Sequence, residues 1–544
     1  MSMPASAQTP KPLGLPIALP PGPSTWLVGQ PYGNTTGAYN FGDEWYSAGQ
    51  GLHFGIDISM PCGTPLVAMA DGEVMFVDNL SFGSGPHNLL IRHNDSGLIA
   101  LYGHLLQRPA LNPGQLVTRG QEVAQSGDPD STCVSRPHLH LEIRSLNYNT
   151  TYNPIAYIEA PWNSLATIGS FSSASFEQDL DNPRQWMRLD DQPDVVFGGR
   201  RLNAYIAAWP PENGQQPPDN PPVAVETTPL LENSTWTART ISYEGCCVNP
   251  WWHPTNSDTL YVIDGSPGQR AAVIEWSIAS SGPVNVVGQA PPPYLSPDGS
   301  HQVNVTGAVT TITRLSDNVA WDVPTSGVWP AISTDNSRLL WITRSGESVP
   351  GQPPPPVTIW VSDIDGTNGR FIVSQPGGGA TWLDEARVLV TTPVTAERAT
   401  TLSIVDTRDD SQTLLGTWQG LRGLSIAPGG GRLLFYRTFN DDPALDGIYT
   451  LDTQAEAQPQ KLPWFGGWRW RDADSVYYLP LDATTNVQTL AYYNFATGED
   501  RRLTDPANFP LTIANGDWSV SPDGRRIVYL NAADLTMWLL EETA

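Results

Sequence analysis

The segment WSVSPDGRRIVYL, residues 518–530, is echoed by YLSPDGSHQVNV at 294–305 and AISTDNSRLLWI at 331–342. Fainter echoes are WWHPTNSDTLYVI (251–263), ATWLDEARVLV (380–390), LSIAPGGGRLLFY (424–436) and WRWRDADSVYYL (468–479). Each reads as a strand, a tight turn and a second strand. They recur at roughly 37–50 residues, the period of a four-stranded propeller blade. This repeat commits more than half of the chain to one architecture.

Seven echoes predict seven blades, or six if the first is irregular. The last echo leaves room for about three strands before the end of the sequence. A strand near 235–242 is therefore expected to complete that blade and close the ring, because propellers need protected edges. The intact SPDG turns at Ser296–Gly299 and Ser521–Gly524 resemble those of TolB-type β-propellers. That resemblance covers residues 235–544 and implies a propeller there.

With 544 residues the chain exceeds one ordinary core. Its 49 Gly and 51 Pro leave little room for long helices, since proline is costly inside helices and central strands. The predicted fold is all-β. A net charge of −26 argues against nucleic acid as a partner, whose phosphates need a basic footprint. Acidity of this kind keeps an exported protein soluble. No stretch approaches the roughly 18 unbroken apolar residues of a membrane span. Residues 1–23 lack the apolar core of a signal peptide and read as a Pro-rich flexible leader, in keeping with a signal already removed.

Residues 24–161 alternate short apolar runs with turn residues and predict a compact β domain. PLVAMADGEVMFV (65–77) reads as two strands joined in a hairpin at Asp71-Gly72. NLLIRHNDSGLIALYGHL (88–105) reads as a second pair, turning at Asn94 to Gly97. Residues 162–234 read as a connecting segment containing the spacer PPENGQQPPDNPP at 210–222. The propeller then occupies 235–544.

Six of the eight histidines (His53, His87, His93, His104, His138 and His140) precede residue 141. In RPHLHLEIR (136–144), His138, His140 and Glu142 share one face of a strand, and Leu139, Leu141 and Ile143 the other. Neighbours on one face are about 6.6 Å apart, so one ring can bind a metal while the other meets a substrate. In HFGID, His53 and Asp57 would stand about 13 Å apart in a straight strand, too far to share one ion. Gly55 disfavours a helix, so a bent loop is predicted, with Gly55 permitting the bend. YGHL puts His104 at a strand end. Neutral imidazole is the commonest metal ligand, and zinc sites often add a carboxylate. His87 and His93, near turns, read as structural, and Glu142 as solvated or hydrogen-bonded.

In order, HFGIDIS, GTPLVAMADGEV, LYGHL, GQLVTRGQEVAQSG and PHLHLEI resemble the lysostaphin-type, LytM-domain zinc metallopeptidases that cut peptidoglycan cross-links. The resemblance runs from about Trp26 to Ile158. It implies that His53, Asp57 and His140 hold Zn²⁺, with His104 and His138 as the general base and oxyanion-stabilising pair. It further implies an exported endopeptidase of the cell envelope whose substrate is a peptidoglycan peptide. The propeller is then either a scaffold or a module for glycan or an envelope protein. Trp251, Trp252, Trp464 and Trp468 are either sugar platforms or blade core. Two other readings stand beside this one: a non-catalytic LytM-type regulator of another wall hydrolase, and a propeller-led binding protein. Retention of all five residues speaks against the first of these.

The loop SGDPDSTCVSRPHLH lacks the small, Gly-rich run common in that family, which bears on substrate preference. Cys62 and Cys133 flank the motifs and are expected to form a disulfide that braces the cleft. Adjacent Cys246 and Cys247 are either a strained vicinal bridge or two buried thiols.

Overall fold

The computed structural model describes residues 10–35, 37–38, 42–168, 189–202, 227–231, 235–242, 248–264, 272–287, 295–346 and 355–543. The chain divides into two compact units. Described residues 10–165 and 189–202 belong to the first, and 166–168 and 227–543 to the second. Among the described residues no helix is long and apolar enough to cross a membrane.

The strands of the first unit are β1 (Leu27–Gln30), β2 (Ile56–Ser59), β3 (Pro65–Val67), β4 (Gly72–Val77), β5 (Leu89–His93), β6 (Leu98–Gly103), β7 (Leu116–Val117), β8 (Glu122–Gln125), β9 (His138–Arg144), β10 (Thr150–Tyr152) and β11 (Val195–Val196). The main sheet runs β1-β2-β9-β6-β5-β4-β7, every pair antiparallel, and β10 and β11 extend it beside β9. Strand β9 lies at its heart, with all seven residues buried. Its leucine face packs as the alternation predicts: Leu139, Leu141 and Ile143 are fully buried, as are Ile56 and Ile58 of β2. Of the two alternatives for Glu142, solvated or hydrogen-bonded, the hydrogen-bonded one holds: the residue is fully buried and accepts a hydrogen bond from Arg144 Nε at 2.7 Å.

The strands at 65–77 do not form a hairpin. β3 pairs with β8, whereas β4 pairs with β5 and β7. Gly72 serves a close approach rather than a turn: a Cβ there would lie 2.6 Å from Arg92 O of β5. The second pair is a hairpin as read, with β5 and β6 joined through Gly97 at φ 67°.

Of the segment 1–23 read as a flexible leader, residues 1–9 lie outside the described residues, and 10–23 are not loose. Leu13 is fully buried and bridges Ile158, with Leu13 N donating to Tyr157 O at 3.1 Å and Glu159 N to Leu13 O at 3.0 Å. Lys11 Nζ donates to Ile155 O at 2.7 Å. The prolines that bar a helix hold this stretch extended along the domain, where its apolar residues find cover. Nor is all of 162–234 a connection. Residues 189–202 fold back on the first unit, where β11 pairs with β10, Val196 N donates to Gln50 Oε1 at 2.7 Å and Tyr32 Oη donates to Pro193 O at 3.0 Å. Cys62 and Cys133 form a disulfide, tying the turn after β2 to the loop before β9. Cys246 and Cys247 lie outside the described residues.

The second unit is a ring of seven sheets, at 248–287, 295–323, 331–375, 379–419, 421–461, 466–502 and 513–542. Among the described residues the second blade shows three strands and, on its inner side, the bridge Leu295 to Gln302, while the first shows four strands. Strand Trp236–Thr240 pairs with Met537–Glu542 and completes the last blade, as the edge argument requires. Shared apolar clusters join the second blade to the third, third to fourth, fourth to fifth, sixth to seventh and seventh to first, and Trp236 and Tyr477 meet at 5.5 Å in the cluster between the last two. Trp252, Trp464 and Trp468 are buried and are blade core.

The recurrent turn has a common construction. In the SPDG turn at 296–299, Gly299 N donates to Ser296 O at 2.8 Å with Gly299 at φ 75°. Ser296 Oγ donates to Asp298 Oδ1 at 2.7 Å while accepting His301 N at 3.0 Å. Ser521–Asp523 and Ser333–Asp335 repeat these bonds at 2.6 and 2.7 Å. Serine, aspartate and a left-handed residue are thus each needed for a separate bond or backbone angle.

Two outcomes are expected from this architecture. Trp236→Ala removes a buried side chain from the closing strand and should cost about 3–5 kcal/mol, measured by denaturant unfolding followed through the propeller. A fragment of residues 10–204 should melt cooperatively by circular dichroism, whereas residues 10–165, without β11, should melt at lower temperature or fail to fold.

Candidate metal centre

The register of three strands assembles the site. Asp57 on β2 and Gly103 on β6 lie opposite His140 on β9, one on each side, and Ser59 lies opposite His138. His53 stands just before β2, fixed by a bridge in which His53 N donates to Gly33 O at 2.9 Å and Gly33 N to His53 O at 2.7 Å. The chain then bends, so that His53 Nε2 lies 3.4 Å from Asp57 Oδ1. The predicted bend is present, but Gly55 has a different reason. Its backbone is not left-handed, and a Cβ there would lie 2.6 Å from His140 Cε1 and 2.8 Å from Leu141 O. Glycine makes room for the imidazole.

His140 Nδ1 is 2.8 Å from Asp57 Oδ1 and 3.3 Å from His53 Nε2. The three donor atoms form a triangle with sides of 2.8, 3.3 and 3.4 Å. Ligands tetrahedrally placed at ~2.0–2.1 Å from an ion stand ~3.3 Å apart. Two imidazoles and a carboxylate in this arrangement fit a divalent ion of zinc's preferences, with a fourth position open. The outer contacts fit as well. His53 Nδ1 lies 2.6 Å from Pro31 O, which leaves the Nε2 lone pair facing the triangle. His140 Nε2 faces the buried Glu142 carboxylate at 3.4 Å.

His104 follows β6 in a left-handed conformation, φ 55°, sparsely populated by side chains other than glycine. His104 N donates to Ser84 O at 2.9 Å, and its Nδ1 is bound to Gly85 O. The ring is thereby turned over β9, with its centroid 4.8 Å from that of His138 and 5.7 Å from that of His140. His138 Nδ1 lies 2.7 Å from Arg136 O, and its Nε2 is 3.6 Å from Asp57 Oδ1. A backbone carbonyl on Nδ1 assigns the proton there and leaves Nε2 of both rings as the working nitrogen.

The electrostatics divide these groups. Burial alone would push the Asp57 carboxyl up, but the charges of His53 and His138 and hydrogen bonds from His140 and His53 hold it well below the carboxylate range. Burial opposes charge on His140 too, yet hydrogen bonds to Asp57 and Glu142 raise it to about 9. His104 moves the other way, to about 3, through burial and then the charges of His140 and His138. Its ring is therefore neutral at neutral pH, beside a cluster that concentrates charge.

The structure thus brings together His53, Asp57, His104, His138 and His140. His87 and His93 stand apart, with Nδ1 2.9 Å from Asp78 Oδ2 and 3.1 Å from Asp71 O respectively. Sequence reasoning missed the packing around the centre. Tyr46 meets His53 edge-on at 5.5 Å, Phe54 meets His140 edge-on at 5.6 Å, and Phe197 meets Phe54 at 5.4 Å. The Tyr46 phenol is pushed up to about 12 by burial and Asp57, with Arg136 drawing it back. Phe54 sits inside the HFGID motif and was open to notice. Tyr46 and Phe197 lie in stretches with no periodic signal.

Residues 51–154 match Peptidase family M23. The uncharacterized lipoprotein YgeR of Escherichia coli is 37% identical over 114 residues, 21% of this chain and 42% of that protein. The murein hydrolase activator NlpD of Escherichia coli is 36% identical over 115 residues, 21% of this chain and 28% of NlpD. The glycyl-glycine endopeptidase ALE-1 of Staphylococcus capitis is 29% identical over 154 residues, 28% of this chain and 39% of ALE-1. The chain spans less than half the length of each of these curated relatives. Residues 51–154, which carry all five clustered side chains, are a domain of Peptidase family M23, joined in this chain to a seven-bladed β-propeller.

Proposed function

We propose that this protein is a zinc endopeptidase of the cell envelope that hydrolyses the peptide cross-links of peptidoglycan. The observation that carries the reading is the 2.8–3.4 Å triangle of His53, Asp57 and His140 with a neutral His104 beside it. The kinship with ALE-1, named a glycyl-glycine endopeptidase, supports it. His53 Nε2, Asp57 Oδ1 and His140 Nδ1 hold the metal. Zn²⁺, when bound, supplies a Lewis acid and lowers the pKa of a ligated water toward ~7.

The remaining work falls to the protein's own side chains. His104, neutral and with Nε2 free, accepts a proton from the attacking water and returns it to the leaving amine. His138, anchored through Nδ1 to Arg136 O, presents Nε2 to the same space. Once protonated there, it donates to the developing oxyanion. Gly85 and Arg136 carbonyls fix both rings, so little reorganisation is needed during reaction. The propeller serves as a targeting module for wall polymer or an envelope partner.

A second reading has one observation in its favour. NlpD, named a murein hydrolase activator, is 36% identical, above the 29% of ALE-1. Under that reading the domain stimulates another hydrolase and cleaves nothing. Digestion of purified cross-linked muropeptides, followed by mass spectrometry, separates the two. The endopeptidase reading expects cleavage abolished by chelator and restored by Zn²⁺. Intact cross-links with added Zn²⁺, together with stimulation of a partner hydrolase, would establish the activator instead.

His53→Ala, Asp57→Ala and His140→Ala should each lose most bound zinc by elemental analysis. His104→Ala and His138→Ala should keep about one equivalent while turnover falls ~10²–10⁴-fold. Zinc lost from His138→Ala but kept by His140→Ala would reverse the two roles.

Metal loading should also release a proton. His140 is raised to about 9 and is protonated at pH 7, and a ligand nitrogen must be deprotonated. Zn²⁺ titration calorimetry in buffers of different ionisation enthalpy should therefore show proton release at pH 7 from His140 in addition to that from the ligated water, with the His140 share lost as the pH passes 9.

A further inference from the structure

Beside His138 the centre carries a guanidinium without an acidic partner. Arg136 is exposed, yet its backbone is fixed on both sides. Arg136 N donates to the buried Asp128 Oδ2 at 3.2 Å, and Arg136 O accepts from His138 Nδ1 at 2.7 Å. Its guanidinium carbon lies 5.1 Å from the ring centroid of Trp45, which is itself 45% exposed. Trp45 adjoins Tyr46, the residue set edge-on against His53. The Arg136–Trp45 contact thus joins the segment before β9 to the segment that carries Tyr46.

Among the described residues, no carboxylate lies within 4.0 Å of the Arg136 guanidinium and no acceptor takes its hydrogen bonds. Neighbouring arginines of the same unit are used differently. Arg92 is paired with Glu73 at 2.6 Å, Arg144 with Glu142 at 2.7 Å and Arg201 with Asp43. In a chain with 55 acidic and 29 basic side chains, acids are not scarce. Its carbon stands over the Trp45 ring at 5.1 Å, and a guanidinium with uncommitted N–H groups can receive a carboxylate bidentately. Asp57, the acid nearest the reaction centre, is already committed to three histidines.

We infer that Arg136, steadied by Trp45, is a carboxylate-binding subsite, and that the substrate is a peptide with a free carboxylate within about two residues of the cleaved bond. The spacing rests on adjacency in the chain: Arg136 is two residues before His138, and His138 Nδ1 is bonded to Arg136 O at 2.7 Å. The inference rests on the endopeptidase reading above and adds the chemical class of its substrate. Because the pair is exposed, its contribution should weaken with salt.

The test uses the Zn²⁺-loaded full chain and two cross-linked muropeptides that differ at one group, a carboxyl beside the cross-link that is free in one and amidated in the other. The wild type should favour the free acid by about tenfold in kcat/KM, mainly through KM. Arg136→Gln should bring the ratio close to one at unchanged zinc content, and Arg136→Lys should retain part of it. Trp45→Leu should reduce the preference, and Trp45→Phe should preserve most of it. Equal cleavage of both muropeptides by the wild type, or a preference that survives in Arg136→Gln, overturns the subsite and leaves the endopeptidase reading standing. Cleavage of neither removes the endopeptidase reading and the subsite with it.

Discussion

Strand β9 is hydrogen-bonded on one side to β2 and on the other to β6, and the site depends on the register of those two ladders. They set Asp57 and Gly103 opposite His140 while directing Leu139, Leu141 and Ile143 to the other face. A slip of one residue would exchange the two faces, driving imidazoles into the apolar core and leucines into the site. The core therefore guards the donor geometry against register slip: a slip that breaks the triangle also exposes the leucines. The cost of gathering so many polar groups is offset locally. Glu142, fully buried, is held by Arg144 Nε at 2.7 Å, and Arg144 Nη2 in turn donates to Phe82 O at 3.0 Å.

The matched family segment does not contain everything that supports its centre. Pro31 O, which orients His53, precedes residue 51, as does Tyr46. Phe197 follows residue 154, bracing Phe54 and lying under the Arg144 guanidinium at 4.5 Å. Flanking segments hold the donors still, and a metal site needs such support because displacement of a donor by even half an ångström loosens the coordination.

Much of this was legible in the sequence, for a definite reason. Period-two alternation in HLHLEIR is a local property, and it fixed which side chains share a face before any partner strand was known. The blades were legible because the Ser–Asp turn repeats with its own short-range bonds. What escaped was non-local. Asp71-Gly72 carries a turn signal, but β3 and β4 diverge into different sheets, a matter decided by β5 and β8. Residues 10–23 look like a leader because their prolines forbid regular structure, while Leu13 finds its partner 145 residues later at Ile158. Gly55 was correctly placed at a bend and wrongly explained, since the ring it accommodates belongs to β9.

The pairing of Trp236–Thr240 with Met537–Glu542 has a consequence for how the molecule comes into being. The two strands that seal the ring stand at opposite ends of the propeller sequence, so the last blade closes only after all the other blades have been made. Until then strand 236–240 has no partner from the C-terminal side, and the growing array carries an open edge able to pair with other chains. Contacts of such long sequence separation form slowly, because loop closure precedes any gain from packing. The described residues of the first unit all precede the blades in sequence, so this unit can fold while the blades are still being made. The chain thus emerges with its first unit assembled early and its ring sealed late.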